Sequence, residues 1–290
     1  MEELTTSVQV RAALAQARLL CKKIGFVPTM GALHAGHAAL IRRARDECDV
    51  VVLSIFVNPT QFGPGEDFER YPRPIERDRE IAQSTGVDFM FTPTVEEMYP
   101  GGDQTFVEVS GISDLFEGAA RPGHFRGVAT VCTKLFNIVQ PDRAVFGEKD
   151  YQQLVIVRRL VADLCLPIEI IGVPTVREHD GLAMSSRNAY LSSSERASAT
   201  VLYAALEKAA ARFEAGERAA SELSKVLANE IAKDPLTNLE YAEVVDANSL
   251  LPVEEVASPA VALIAASVGS TRLIDNVIHD PARPNSGGLG

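Results

Sequence analysis

The stretch Ile24–Val57 indicates the fold, because in it two apolar runs flank a helical pattern. It reads IGFVPTMGALHAGHAALIRRARDECDVVVLSIFV. The run Ile24–Val27 predicts a strand, and His37–Glu47 predicts a helix. The longer run Val50–Val57 suits a strand that is covered on both faces. A strand–helix–strand order of this kind is typical of a parallel sheet.

The same alternation continues as far as Val173. We predict further helices over Ile75–Thr85, Gly127–Val139 and Tyr151–Cys165, and further strands over Val87–Phe91, Arg143–Phe146 and Ile168–Val173. Right-handed crossovers between such strands place helices on both faces of the sheet. The predicted fold class is therefore α/β, with a Rossmann-like doubly wound parallel sheet.

After about Thr175 the pattern changes to α+β. Ser192 and Glu195 have capping-box spacing, and they precede an Ala-rich helix to about Ala215. A second helix over 220–233 and three strands follow, over Leu239–Val245, Ala260–Ser267 and Arg272–Ile278, and the last two strands flank a hairpin-like turn. We expect a Rossmann-like domain over residues 1–174, a smaller α+β C-terminal domain over 175–280 and a disordered tail over 281–290.

Composition and charge exclude several classes of protein. The 290 residues are 46% hydrophobic, which argues against disorder, and no run of about 18 apolar residues suits a membrane span. A net charge of −11 disfavours binding to nucleic acid or to an anionic membrane, although it allows one phosphate pocket. The acidic N-terminus lacks a signal-peptide pattern, and four scattered cysteines suit buried positions in a reducing compartment, so we expect the cytoplasm.

The loop after the first strand is the leading candidate site. Pro28–His37 reads PTMGALHAGH and opens a helix at the carboxyl end of a strand, where ligands collect in open parallel sheets. The helix start offers N–H groups to a phosphate, and Gly31 and Gly36 permit close backbone approach. His34 and His37 share a helix face and can donate hydrogen bonds to charge developing on that phosphate. The position disfavours the alternative of two incidental histidines.

Amide side chains follow the second strand, in Ser54–Phe62 (SIFVNPTQF). Asn58 and Gln61 can orient a carboxylate or a hydroxyl without carrying charge. Taken alone, Asn58-Pro59 is more simply read as a turn that ends a strand.

A third group lies in Phe146–Gln153 (FGEKDYQQ), again where a strand meets a helix. Gly147 allows a ligand to approach, Lys149 can neutralise phosphate, and Asp150 can cap the helix or bind ribose hydroxyls. Gln153 falls in the first helical turn. An ordinary N-cap beside a surface lysine is the alternative.

A fourth group, Met184–Asn188 (MSSRN), follows the turn at 179–181. The guanidinium of Arg187 can bind a triphosphate bidentately, and the hydroxyls of Ser185 and Ser186 add donors. A solvated loop is the alternative. The sequence contains no P-loop, no G-x-G-x-x-G and no H-E-x-x-H, which disfavours these phosphate- and zinc-binding devices.

Together these blocks resemble the pantothenate synthetase family of nucleotidylyltransferases. They are PTMGALHAGH with its H-x-G-H motif, SIFVNPTQF, FGEKDYQQ and VPTVREHDGLAMSSRN, and the resemblance covers about Ile24–Asn276. It implies condensation of pantoate with β-alanine through a pantoyl adenylate, with ATP cleaved to AMP and pyrophosphate. It also implies Mg²⁺ arriving with ATP, a homodimer, and a C-terminal domain that closes as a lid.

The resemblance further implies a role for each candidate residue. The ATP site would comprise Met30, Gly31, Ala32, Leu33, His34, Ala35, Gly36, His37, Gly147, Glu148, Lys149, Asp150, Val176, Met184, Ser185, Ser186 and Arg187. The catalytic residues would be His37, His34 and Lys149. Gln61 and Gln153 would bind pantoate, and Gln61 would also bind β-alanine. Some members place a metal-associated carboxylate at the position of Asp78, but the metal ligands stay unassigned.

Three rival functions use the same pattern. A small adenylyltransferase would keep AMP in its product, whereas the family reaction releases AMP. A tRNA synthetase would need a basic tRNA-binding surface, which the acidic balance does not offer. A non-catalytic nucleotide sensor could dispense with His37 and Lys149, yet both are present.

Overall fold

The computed structural model describes residues 1–101 and 104–283. The chain divides into two compact units. The first comprises Met1–Glu148 and Gln152–Val173, and the second comprises Lys149–Tyr151 and the chain from Pro174 onward. The predicted disordered tail, 281–290, lies outside the described residues from 284 onward.

A six-stranded parallel sheet forms the centre of the first unit. Its strands are β1 (Glu2–Leu4), β2 (Ile24–Thr29), β3 (Val50–Ile55), β4 (Phe89–Phe91), β5 (Arg143–Gly147) and β6 (Glu169–Val173). Their order is β1-β4-β3-β2-β5-β6, and every neighbouring pair is parallel. The chain crosses over after β2 and β3 toward one edge and then returns past β2 to β5. The predicted α/β class with a doubly wound sheet is confirmed.

Helices connect these strands and cover both faces of the sheet. They are α1 (Ser7–Leu19), α2 (Ala35–Glu47), α3 (Ile75–Ser84), α4 (Val95–Met98), α5 (Phe116–Ala120), α6 (His124–Val139) and α7 (Tyr151–Asp163). One buried cluster contains Phe26, Val52 and Phe136, and a second contains Val27, Ile41 and Leu53. Neighbouring strand residues thus face opposite cores, which explains why β2 and β3 are apolar without alternation.

The predicted helices and strands of this unit form with small shifts at their ends. The helix after β2 begins earlier than predicted, because His34 rather than a later residue is its N-cap. Strand β1 and helix α1 were not predicted from the sequence. The start of α1 carried a readable signal, since Thr6 and Gln9 form a capping box.

The second unit packs helices against an antiparallel sheet. Its helices are α8 (Ser193–Ser198), α9 (Val201–Glu214) and α10 (Ala220–Ile231), and its strands are β7 (Thr237–Asp246), β8 (Ala260–Val268) and β9 (Thr271–His279). The strand order is β7-β8-β9, with Val268 paired to Thr271 across the predicted hairpin turn. Ser192 and Glu195 form the predicted capping box, and one buried cluster joins helices and sheet.

The cysteines differ from the expectation in two places. Cys48 and Cys132 are buried, whereas Cys21 and Cys165 are exposed, so the prediction is wrong for the latter pair. Both exposed cysteines lie just after a helix with positive φ angles of 51°, where the chain turns at the surface. None of the helices in the described ranges has the length and apolarity needed to cross a bilayer.

Candidate active site

The loop between β2 and α2 turns sharply before the two histidines. Gly31 has φ +84° and Ala32 has φ +50°, both in the left-handed region. A Cβ at Gly31 would lie 2.9 Å from Asp78 Oδ2 and equally close to Ile55 Cγ2. A side chain at position 31 would therefore be strained twice, by its backbone conformation and by contact.

The carboxylate of Asp78, on α3, stabilises this turn through hydrogen bonds to its backbone. Its Oδ2 accepts a hydrogen bond from the Ala32 amide at 2.9 Å, and its Oδ1 accepts one from the Leu33 amide at 2.7 Å. Burial raises the pKa of Asp78, and the two amide donors oppose that shift. Both oxygens are thus engaged in shaping the loop.

The two histidines are fixed by local hydrogen bonds at the start of α2. His34 Nδ1 accepts from the Gly36 amide at 3.1 Å, and His37 Nδ1 accepts from the His34 amide at 3.3 Å. The ring centroids are 4.2 Å apart. Because each Nδ1 acts as an acceptor, each neutral ring carries its proton on Nε2. Both rings are half-buried and adjacent, but only His37 lies on the helix, because His34 is its N-cap and has an extended backbone.

Gln61 lies at the carboxyl end of β3, close to the same loop. It is buried in a short 3₁₀ turn, Pro59–Gln61, that Asn58 caps by accepting from the Thr60 amide. Gln61 Nε2 points to Met30 Sδ at 3.3 Å. Two predicted groups, the Met30 loop and Gln61, are thus brought together within the first unit.

Helix α6 touches the Gln61 turn so closely that it needs a glycine. A Cβ at Gly127 would lie 2.4 Å from Thr60 O and 2.7 Å from Gln61 Cα. These are backbone atoms, which cannot move aside as a flexible side chain would. Gly127 O also accepts from Asn58 Nδ2 at 3.2 Å.

An ion pair, Arg121 with Glu66, and the neutral imidazole of His124 lie next to the backbone of Gln61. Arg121 binds Glu66 bidentately, with Nε–Oε1 at 2.8 Å and Nη2–Oε2 at 2.6 Å. His124 Nδ1 lies 2.8 Å from Gln61 O, and its Nε2 faces Arg121 Nη1 at 3.1 Å. Burial, and then the charge of Arg121, lower the pKa of His124 to about 4. The ring is therefore neutral at pH 7, donating to the carbonyl and accepting from the guanidinium.

A cavity of about 280 Å³ opens beside the loop in the first unit. Its lining is largely apolar and includes Met30, Gly31, Phe56 and Ile75, with Asp78 at its wall. Such a space suits a compact ligand that has an apolar part.

The third predicted group lies where β5 meets α7. Glu148 belongs to the first unit, and burial raises its pKa. Lys149 and Asp150 belong to the second unit, with Nζ–Oδ1 at 3.7 Å. A Cβ at Gly147 would find no protein atom closer than 4.0 Å, so packing among the described residues does not require this glycine. Gln153, in the first turn of α7, is half-buried.

The fourth predicted group follows a tight turn within the second unit. The Met184 amide donates to Val176 O at 3.0 Å, and Gly181 at the tip has φ +89°. The segment 186–190 is a 3₁₀ helix capped by Ser185, and Ser185, Ser186 and Arg187 are half-buried. This part of the group therefore does not form the solvated loop that was the alternative to a binding site.

Arg177 anchors this turn to β9. It binds Asp275 through Nη1–Oδ2 at 2.6 Å and Nη2–Oδ1 at 3.0 Å, and it also donates to Gly181 O at 3.1 Å. The next residue of β9, Asn276, donates to Lys149 O at 2.9 Å. Two adjacent residues of β9 therefore organise two of the predicted groups.

Several of these contacts were missed from the sequence. The roles of Glu66, Arg121 and His124 depend on residues far apart in the chain, and no local spacing pointed to them. Among the described residues, no group of three or more His, Cys, Asp or Glu side chains is arranged to hold a metal ion.

The chain matches a family of known enzymes over nearly its whole length. Residues 2–278 match the family model described as pantoate-beta-alanine ligase. The pantothenate synthetase of Moorella thermoacetica is 55% identical over 278 residues, which cover 96% of this chain and 98% of that protein. The pantothenate synthetase of Pelotomaculum thermopropionicum is 54% identical, covering 94% and 97% of the two chains.

Solved structures give the same relationship. The crystal structure of pantothenate synthetase from Thermus thermophilus has a TM-score of 0.91 and 50% identity, covering 96% of this chain and 99% of that one. The pantoate-beta-alanine ligase from Francisella tularensis, crystallised with "Beta-gamma ATP" and beta-alanine, has a TM-score of 0.78 and 35% identity. That alignment covers 95% of this chain and 97% of that one.

Proposed function

The chain belongs to the pantoate-beta-alanine ligase family, and on that premise we propose that it condenses pantoate with β-alanine to pantothenate. The reaction cleaves ATP to AMP and pyrophosphate and passes through pantoyl adenylate. In the first step a carboxylate oxygen of pantoate attacks the α-phosphorus, and the bond to the β-phosphate oxygen breaks. In the second step the amine of β-alanine attacks the acyl carbon, loses a proton, and AMP departs.

The histidine pair supports the first step. A carboxylate that attacks a polyphosphate brings anions together, so donors aimed at the phosphates lower the barrier. His34 and His37 accept hydrogen bonds through Nδ1 and so carry a proton on Nε2, and both lie at the start of α2, where the helix dipole also favours an anion. We assign His37, His34 and Lys149 as the catalytic residues, with Arg187 as a further phosphate ligand.

The remaining ATP contacts follow the matched blocks. We place the nucleotide against 30–37, Gly147–Asp150, Val176 and 184–187. Mg²⁺ would arrive on the phosphate oxygens of ATP, because this ion usually keeps most of its waters and binds through substrate phosphates. Asp78 fits poorly as its ligand, since both carboxylate oxygens already accept backbone hydrogen bonds.

The acyl substrate belongs beside Gln61. We propose that Gln61 and Gln153 bind pantoate and that Gln61 also faces β-alanine. The apolar lining of the nearby cavity, with Phe56 and Met30, matches the branched carbon skeleton of pantoate. The bound β-alanine in the Francisella tularensis relative supports the choice of amine.

Our proposal also covers the role of the second unit and the oligomeric state. We propose that residues 175–280 act as a lid that excludes water from the adenylate, which would otherwise hydrolyse. We further propose a cytoplasmic homodimer. The contact between Gln61 and Met30 is the observation that carries the proposal, because it brings an uncharged amide donor next to the loop that leads into the two histidines.

The test is product analysis with labelled substrate. The purified chain is incubated with ATP, Mg²⁺, β-alanine and pantoate labelled with ¹⁸O in its carboxylate. Mass spectrometry should detect pantothenate, and AMP should carry one ¹⁸O because the carboxylate oxygen stays on phosphorus. A product that retains AMP would instead indicate an adenylyltransferase, and unlabelled AMP would exclude the adenylate.

A further inference from the structure

Three donors fix the side-chain amide of Asn58. Its Oδ1 lies 2.8 Å from Tyr99 OH, 3.0 Å from Thr60 Oγ1 and 3.3 Å from the Thr60 amide nitrogen. The backbone N–H can only donate, so the atom that faces it is the oxygen. The orientation of this buried amide is therefore determined.

The orientation of the Asn58 amide determines that of the Gln61 amide. Asn58 Nδ2 faces two oxygens, Gln61 Oε1 at 3.0 Å and Gly127 O at 3.2 Å. Gln61 must therefore accept from Asn58 through Oε1 and present its Nε2 at the other end. That Nε2 points to Met30 Sδ, and a thioether is a weak acceptor that a ligand oxygen can replace.

We propose that Tyr99 is a positioning residue that acts through Asn58 to fix Gln61 as a hydrogen-bond donor toward its ligand. This inference rests on the proposed function. A carboxylate accepts hydrogen bonds and cannot donate them, so a Gln61 that presents its N–H selects for the pantoate carboxylate. A reversed amide would turn its own oxygen toward the anion and repel it.

The surroundings of Tyr99 allow its hydroxyl to be tested alone. The ring centroid is 6.2 Å from that of Phe56, and Lys134 Nζ lies 4.5 Å from the Tyr99 ring centroid. These contacts belong to the ring and survive in Tyr99→Phe. That variant removes one of the three donors to Asn58 Oδ1, together with a 3.3 Å contact between Tyr99 OH and Thr60 Oγ1, and it leaves both Thr60 donors to Asn58 in place.

The experiment compares Tyr99→Phe with a hydroxyl deletion elsewhere. Tyr241, half-buried on β7 of the second unit, supplies the control Tyr241→Phe. We expect Tyr99→Phe to raise KM for pantoate about 10-fold, as for the loss of roughly one hydrogen bond, with KM for ATP changed less than about twofold. Tyr241→Phe should match the wild type for both substrates.

A double-mutant cycle separates positioning from a general structural role. In the background Gln61→Ala, adding Tyr99→Phe should cause no further loss, because the hydroxyl acts through the amide that is missing. Additive losses, an equal effect on ATP, or a wild-type KM for pantoate would overturn the relay. A wild-type chain without ligase activity would overturn the proposed function instead, so the two failures are distinct.

Discussion

Arg177 and Asp275 form a bidentate ion pair inside the second unit, with side chains only 5% and 2% exposed. The guanidinium also stacks on the Tyr203 ring, with Cζ 4.7 Å from its centroid. A buried pair of this kind need not stabilise the fold relative to apolar residues, but breaking it leaves a charge without compensation. Its position suggests that it serves to hold the 176–184 turn on β9.

Asp275→Asn should therefore destabilise the second unit strongly. We expect a loss of about 3 kcal/mol in the free energy of unfolding, because Arg177 keeps its charge in a buried place. Urea titration measures this. The control is Glu240→Gln, which breaks the more exposed pair with Arg272 and should cost about 0–1 kcal/mol. Similar losses for both variants would contradict the argument.

Asp78→Asn should distort the loop between β2 and α2, which we propose binds phosphate. An amide has one acceptor oxygen, so its NH₂ would face either the Ala32 or the Leu33 amide, donor against donor. We expect about 1–3 kcal/mol lower stability and weaker ATP binding in calorimetry. Glu76→Gln, an exposed change on the same helix, serves as the control. Unchanged ATP affinity would show that the loop keeps its shape without the carboxylate.

His37→Ala should slow adenylate formation by about 10²–10⁴-fold while the fold stays intact. Rapid-quench measurement of the adenylate, with circular dichroism as the check on folding, tests this. His179→Ala alters a histidine outside the proposed site and should leave the rate unchanged. A wild-type rate for His37→Ala would remove this residue from the chemistry.

His279 should make the second unit less stable in mild acid. Burial, and then the charge of Arg218, lower its pKa to about 4. The unfolded chain takes up a proton near pH 6.5 and the folded chain only near pH 4, so stability is full above pH 6.5 and falls between these values. The loss approaches about 3 kcal/mol by pH 4.

The variant His279→Phe tests the assignment, because Phe retains the stacking that His279 makes with Phe213. Its unfolding free energy should depend less on pH between 6.5 and 4 than that of the wild type. His124 has a similar pKa and keeps its own contribution in the variant. Identical pH profiles would contradict the role of His279.

Arg187→Lys should impair catalysis although it conserves charge. A lysine lacks the planar fork that binds phosphate oxygens in pairs. We expect KM for ATP to rise about 10-fold or more.

Hydrogen exchange over residues 179–190, measured with ATP, with adenosine and without ligand, tests whether this segment closes as part of the proposed lid. Equal protection in all three states would mean that the segment is preformed.

The fold could be predicted because its information is local. The runs around β2, β3 and β5 and the helices between them follow from apolar patterning. By contrast, β1 is only three residues long and is stabilised as a strand by pairing with β4. No local sequence pattern reveals that long-range pairing. α1 was missed although its capping box was readable, because its sequence exposes Val8 and Leu19 and weakens the helical pattern.

The main residues of the candidate site could be predicted from the sequence, but the residues that hold them in place could not. His34, His37 and Gln61 stood out because each follows a strand, in blocks that resemble a known family. Asp78 and Tyr99 act on residues 46 and 41 positions away in the chain, through contacts that depend on the tertiary fold. Charged residue pairs such as Arg121 with Glu66 are common on surfaces, so sequence alone could not distinguish this one.

The contact of Gly127 with the Gln61 turn also sets a limit on evolution and engineering. A saturation library at position 127, selected for growth that depends on the enzyme, should return glycine almost alone, since even alanine would displace backbone atoms. At position 147 an added Cβ would meet no protein atom closer than 4.0 Å. Any intolerance of side chains there should therefore reflect contact with the bound ligand. Comparing tolerance at these two glycines would separate what folding demands from what the substrate demands.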